Sequence, residues 1–233
     1  MTTIIDIDRP DGPGIFTAYC AEPAGTPKAA IVVVQEIFGV NSGIRRRCDM
    51  LAEAGYLAIA PDLFWRIEPN VELDPDIAPE MERSLQLMNK FDQDQGIADI
   101  QASLKAARAR LGQGAKIGVL GYCLGGRLAF MTAARTDADA TVCYYGVGID
   151  GLLDEAKGIA HPVMLHMGED DHFVDNAAQA RMHAGLDSYP QATLHDYPGA
   201  DHGFATEFGK RRLDAAATLA DKRTAEFFTK NLA

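Results

Sequence analysis

Cysteine is scarce in this 233-residue chain, and the four present, Cys20, Cys48, Cys123 and Cys143, form no CxxC pair and no zinc-ligand spacing. A disulfide scaffold and a structural zinc site are therefore excluded. Long apolar runs are missing too: no window approaches about 18 consecutive apolar residues, so no segment has the length of a membrane-spanning helix. Positive charge is in the minority, with 22 Lys+Arg against 33 Asp+Glu and a formal charge of −11. That balance repels phosphate backbones and anionic headgroups, so neither nucleic acid nor membrane is expected as a partner. The densest basic run, Arg45-Arg46-Arg47, reads as the solvated face of a helix. Repeats and low-complexity tracts are absent as well. Met1 to Pro10 lacks a basic start followed by an apolar core, so the expectation is a cytoplasmic protein whose thiols stay free. A free thiol can serve as a nucleophile.

What is there is an ordinary globular mix, 47% hydrophobic and 24% charged, compatible with one domain over residues 1–233. Two periodicities alternate along it. Ala30–Gln35 is a short β-branched run of the kind buried on both faces of a sheet, and Ser42–Ala54 then places Ile44, Cys48, Leu51 and Ala52 at helical spacing until Gly55. Tyr56–Ala60, Lys116–Gly121, Thr141–Tyr145, Pro162–Met167 and Thr193–Tyr197 read as further strands. Helices are expected at about Glu80–Phe91, Gln93–Leu111, Leu124–Arg135, Asn176–Ser188 and Lys210–Thr229. Pro61–Pro79 holds four prolines, which fix φ and remove donors, and reads as an irregular excursion. Strands alternating with helices of this length predict an α/β fold with a mostly parallel sheet and helices on both faces.

The stretch Gly118-Val119-Leu120-Gly121-Tyr122-Cys123-Leu124-Gly125-Gly126-Arg127 carries the strongest chemical signal. A strand ends, a nucleophile stands between two glycines, and a helix begins: this is G-x-S-x-G with Cys in place of Ser. The nucleophile needs a strained turn, and side chains two residues away on either side would collide with that turn. The helix start also favours a thiolate and a developing oxyanion. A base and an orienting acid should follow, in the order nucleophile, acid, base. The strand Pro162–Met167 runs into Gly168-Glu169-Asp170-Asp171-His172, which supplies the acid, with Glu169, Asp170 and Asp171 all open on pattern alone. Thr193–Tyr197 runs into Gly199-Ala200-Asp201-His202-Gly203-Phe204, which makes His202 the base candidate, with His172 as the alternative. No histidine pair has the i, i+4 spacing of a helical zinc site, so no metal is expected.

Taken together, Gln35-Glu36-Ile37-Phe38-Gly39-Val40-Asn41, Gly121–Gly126, Tyr144-Tyr145-Gly146-Val147-Gly148, Asp171-His172-Phe173-Val174 and His202-Gly203-Phe204 resemble the dienelactone hydrolases (carboxymethylenebutenolidases). These enzymes have the α/β-hydrolase fold and a Cys-His-Asp triad. The resemblance implies Cys123 as nucleophile, Asp171 as acid, since the Asp-His-Phe-Val match begins there, and His202 as base. It adds Glu36 as a carboxylate that contacts the resting thiol and yields it when substrate binds. It also implies the backbone N–H groups of Ile37 and Leu124 as oxyanion donors. No cofactor is implied, and a monomer is expected.

Family members that open dienelactone hold its carboxylate with two arginines. By alignment on Leu73-Asp74-Pro75 and Phe91-Asp92, Met81 and Thr206 stand at those places here, and Leu85 stands where an aromatic is expected. Arg83 is two residues from Met81, but turned about 200° around a helix. The pocket candidates are Phe38, Met81, Leu85, Phe173, Phe204 and Thr206. The expected activity is hydrolysis of a small lactone or carboxylic ester. A related esterase or thioesterase with a neutral, more apolar substrate is the alternative, and a ligand-binding protein without catalysis is the alternative from another class.

Overall fold

The computed structural model describes residues 1–232, and their contacts fall into two compact units, Met1–Gly118 and Val119–Ala233. In the first unit lie β1 (Thr2–Asp8), β2 (Ile15–Ala21), β3 (Ala30–Val34), α1 (Ser42–Glu53), β4 (Leu57–Pro61), α2 (Ala78–Lys90) and α3 (Gln93–Leu111). Its strands run in the order β1-β2-β4-β3. The β1–β2 and β2–β4 pairings are antiparallel, whereas β3 and β4 are parallel. Every residue of β3 and β4 is buried, which is why both read as unbroken apolar runs.

β5 (Ile117–Tyr122) leads into the second unit, where α4 (Leu124–Arg135), β6 (Ala140–Tyr144), β7 (Val163–Gly168), α5 (Asn176–Leu186), β8 (Ala192–Tyr197) and α6 (Asp214–Asn231) follow. The order is β5-β6-β7-β8, with β6–β7 and β7–β8 parallel. The eight strands and their intervening helices make the mixed α/β arrangement that the alternating pattern predicts. α3 and α4 have the expected limits, and the other elements differ by one to four residues.

Two strands and a 3-10 stretch, Ile149–Gly158, were not legible. In β1 only Ile5 and Ile7 are buried, and so short an alternation, with Asp6 between them, is weak against a background of polar turns. α6 begins at Asp214, not at Lys210, because Arg212 turns back: its guanidinium donates to the Thr206 carbonyl at 2.9 Å and pairs with Asp214. The proline-rich excursion is irregular, as expected, and is pinned by the buried Asp62. That carboxylate accepts the N–H groups of Phe64 at 3.0 Å and Asn70 at 2.6 Å, while burial raises its pKa.

Candidate active site

Cys123 sits between the last residue of β5 and the first of α4, with φ 54° and ψ −115°, a conformation that side chains rarely adopt. The turn is held from both sides. The Cys123 N–H donates to the Tyr144 carbonyl at 3.0 Å, and the Cys123 carbonyl accepts from the Arg127 N–H at 3.1 Å. Small neighbours are mandatory here. A Cβ on Gly121 would lie 1.9 Å from the Gly125 carbonyl oxygen, and one on Gly126 would lie 2.4 Å from that of Tyr144. Cys123 is also the N-terminal flanking residue of α4, and no side chain caps that end. The first-turn N–H groups, that of Leu124 foremost, have no acceptor within the helix.

The end of β7 brings in the three candidate acids. Of the three adjacent carboxylates, Glu169 and Asp170 are exposed and Asp171 is buried. Its two oxygens divide the work. Oδ1 accepts the N–H groups of Phe173 at 2.8 Å and Val174 at 3.1 Å, fixing the carboxylate to its own loop. Oδ2 faces His202 Nδ1 at 2.9 Å, with both side chains almost wholly buried. His202 comes from the loop after β8. Its Nε2 is buried without a hydrogen-bond partner among the described residues, and Cys123 is one of the groups that bear on the ring's charge.

Burial disfavours the imidazolium of His202, but the hydrogen bond to Asp171 and the influence of Cys123 and Asp171 on the ring's charge outweigh it and push the pKa up to about 10. A proton on this ring is stabilised at Nδ1 by the Asp171 carboxylate. The other three thiols lie in different surroundings. Cys20, Cys48 and Cys143 are fully buried, and desolvation raises the pKa of each.

His172, the alternative base candidate, pairs with a different carboxylate. It is exposed, and its Nδ1 is 2.7 Å from Asp201 Oδ1. Among the described residues, one set of conceivable metal ligands lies together, Asp171, His172 and Asp201, with donor atoms within 4.8 Å of one another. Asp171 in that set is already engaged by His202 and two amides.

The pocket candidates separate by exposure. Phe173 is 57% exposed, and its ring stands edge-on to His202 at 4.9 Å, so it flanks the base with free apolar surface. Phe204 has no exposed surface and packs among Tyr144, Tyr145 and Tyr197, which makes it part of the floor beneath the base loop. Thr206 is half-buried, and its hydroxyl lacks a hydrogen-bond partner. In the first unit, Glu36 and Ile37 are buried directly after β3, and Phe38 is 1% exposed. Met81 and Leu85 lie on α2, half-buried and exposed respectively. Arg83 is on the surface of that helix, paired with Glu68.

Two residues near the site carried no role in the sequence reading. Tyr145 has φ 38°, is buried, and sets its ring 5.1 Å from that of His202. A positive φ at tyrosine has no compositional signal, so only the folded backbone discloses it. Asp201 stands beside His202 in sequence, and that adjacency was the one available hint of its contacts.

The profile of the Dienelactone hydrolase family matches residues 16–232. A candidate carboxymethylenebutenolidase of Azospirillum brasilense is 46% identical over 230 residues, covering 97% of this chain and 99% of that one. The carboxymethylenebutenolidase of Pseudomonas putida is 37% identical over 227 residues, covering 97% and 96%. Among solved structures, a candidate dienelactone hydrolase of Klebsiella pneumoniae superposes with a TM-score of 0.85 at 29% identity, covering 99% of both chains.

Proposed function

Since this chain belongs to the dienelactone hydrolase family and is a hydrolase of ester or lactone bonds, we propose that it cleaves a small lactone or carboxylic ester with Cys123 as nucleophile, His202 as base and Asp171 as its orienting acid. The observation that carries this reading is the hydrogen-bonded His202–Asp171 pair, 2.9 Å apart and buried, together with the strained turn that presents Cys123, a group that bears on the charge of that ring.

In this scheme the Cys123 thiolate attacks the carbonyl carbon, and the oxyanion of the tetrahedral intermediate is met by the Leu124 N–H at the start of α4. The intermediate collapses with cleavage of the acyl C–O bond. His202, held as the imidazolium, gives its proton to a departing alkoxide, and the acyl group remains on sulfur as a thioester. Water then adds to the thioester carbonyl, losing a proton to His202, and the second tetrahedral intermediate expels the thiolate. With an enol lactone, the enolate released by ring opening helps to deprotonate that water. Asp171 stays ionised throughout, fixing the ring through Nδ1 and stabilising its charged form. The Ile37 amide as second oxyanion donor and Glu36 as the partner of the resting thiol enter this scheme through the family resemblance.

One observation favours a neutral or more apolar substrate over dienelactone itself. Met81 and Thr206 stand where two arginines would clamp a carboxylate, and Arg83 is already paired with Glu68. The discriminating experiment measures steady-state hydrolysis of cis- and trans-dienelactone beside a neutral aryl ester, with Cys123→Ala as the blank. The aryl ester is expected to be the better substrate, and Cys123→Ala to abolish turnover of both. Retained activity in that variant refutes the nucleophile; dienelactone opening that outpaces the neutral ester refutes the substrate preference.

A further inference from the structure

The loops bearing Asp171 and His202 are joined on their solvent side by a second Asp–His pair. Asp201 Oδ1 accepts the His202 N–H at 2.6 Å and the His172 N–H at 3.1 Å, and it also faces His172 Nδ1 at 2.7 Å. Asp201 precedes the base in the chain, and His172 follows the acid. One carboxylate oxygen therefore ties the main chain of the base to both the main chain and the ring of the residue beside the acid. The His172 ring in turn packs on Phe173 at 4.1 Å, and Phe173 stands against His202.

We propose that Asp201, acting with His172, is a positioning residue that holds the His202 imidazole in register with Asp171 and Cys123. The proposal rests on the assignment of His202 as base. Its physical ground is the way the base loop is held: turns at Gly199 and Gly203 with positive φ, 71° and 79°, flank His202. The Asp170 N–H to the Ala200 carbonyl at 3.0 Å and the His202–Asp171 bond already join this loop to the neighbouring one. The Asp201 carboxylate adds a tie that acts on the His202 main chain itself. Asp201 touches no reacting atom. Burial works against its charged form, but hydrogen bonds from His172 and from the two amides hold its pKa below the usual carboxylate range, so the acceptor stays ionised. The side chains of His172 and Asp201 are 58% and 56% exposed, which leaves the pair little weight in global stability. Base geometry, by contrast, is sensitive to small displacements. Activity and stability should therefore separate.

The test compares the full chain with Asp201→Ala, Asp201→Asn and His172→Ala in hydrolysis of 4-nitrophenyl acetate and in alkylation of Cys123 by iodoacetamide, with urea midpoints measured alongside. Alkylation needs no turnover and is read at Cys123 by peptide mass. Asp201→Ala should lower kcat about tenfold with KM within about twofold, and slow alkylation, since a wandering imidazolium supports the thiolate less well. Asp201→Asn keeps an oxygen for the two amides and should recover most of both rates, with His172→Ala between them and urea midpoints unchanged. Wild-type rates in Asp201→Ala, an asparagine variant as slow as the alanine one, or losses that track the urea midpoint each overturn the proposal. Wild-type chemistry that does not depend on Cys123 is a separate result, and it overturns the nucleophile instead.

Discussion

Replacing Gly121 by alanine puts a methyl group 1.9 Å from the Gly125 carbonyl oxygen, 2.4 Å from its carbonyl carbon and 3.0 Å from the Ala129 Cβ. A close C–H···O contact needs about 3.3 Å, so the shortfall is roughly 1.4 Å, and it falls on backbone in the first turn of α4, with no flexible side chain to give way. Either that turn or the end of β5 must shift by about an ångström. Overpacking of a well-filled interior costs about 1–3 kcal/mol, and a clash borne by backbone belongs at the top of that range. At about 2–4 °C per kcal/mol for a chain of this size, the melting temperature should fall by roughly 6–12 °C. The same displacement moves the Leu124 amide and the Cys123 sulfur, and an ångström of misplacement is worth about 100-fold in rate. Two other glycines calibrate the result. Gly199→Ala meets no atom within 4 Å but forces φ +71° on a side chain, at a cost of about 1–2 kcal/mol. Gly114→Ala meets neither obstacle and should be neutral within about 0.5 kcal/mol. Thermal melts and aryl-ester turnover on the three variants decide the matter. A Gly121→Ala protein that melts with the wild type and keeps its kcat within twofold refutes the account of the turn.

Two further outcomes follow from the buried histidines. Asp171→Asn removes a charge and an acceptor from His202 Nδ1, so the His202 pKa should fall from about 10 and kcat should drop on the order of 1000-fold, read from pH–rate profiles. In the wild-type protein the raised His202 pKa contributes stability that is fully present below about pH 6.5 and lost as pH rises through about 10, and this alkaline loss should shrink in the variant. His166 has the opposite sign. Burial drives its pKa well below the usual value, with His195 and Arg223 adding to the effect, and the neutral ring lies between the Tyr197 hydroxyl at 2.7 Å and Thr224 Oγ1 at 3.0 Å. The unfolded chain takes up a proton there that the folded chain refuses. Its contribution is complete above about pH 6.5 and is lost by about 1.4 kcal/mol per pH unit below it. Urea unfolding from pH 7 to 5 should show that slope, reduced by about one proton in His166→Gln; identical slopes in the two proteins count against it.

The sequence by itself determined those features whose physics is local. Six strands were legible, and five of them, β3 to β7, because they are buried along their whole length, so apolar runs mark them without any help from neighbours. The turn at Cys123 was legible because strand, glycine spacing and helix start stand together within ten residues. Residue pattern placed an acid and a base after the last two strands, but left three adjacent carboxylates undivided. Tertiary structure separates them: of the three, Asp171 alone is buried, takes two amides on one oxygen and faces His202 with the other. It alone reveals the positive φ of Tyr145, the β1–β2 hairpin, and the Asp201–His172 clasp between segments 29 residues apart. These depend on which remote groups meet, and a hydrogen bond across such a distance leaves no periodicity in the chain. The contacts between remote segments of the site are accordingly those that only the folded molecule discloses.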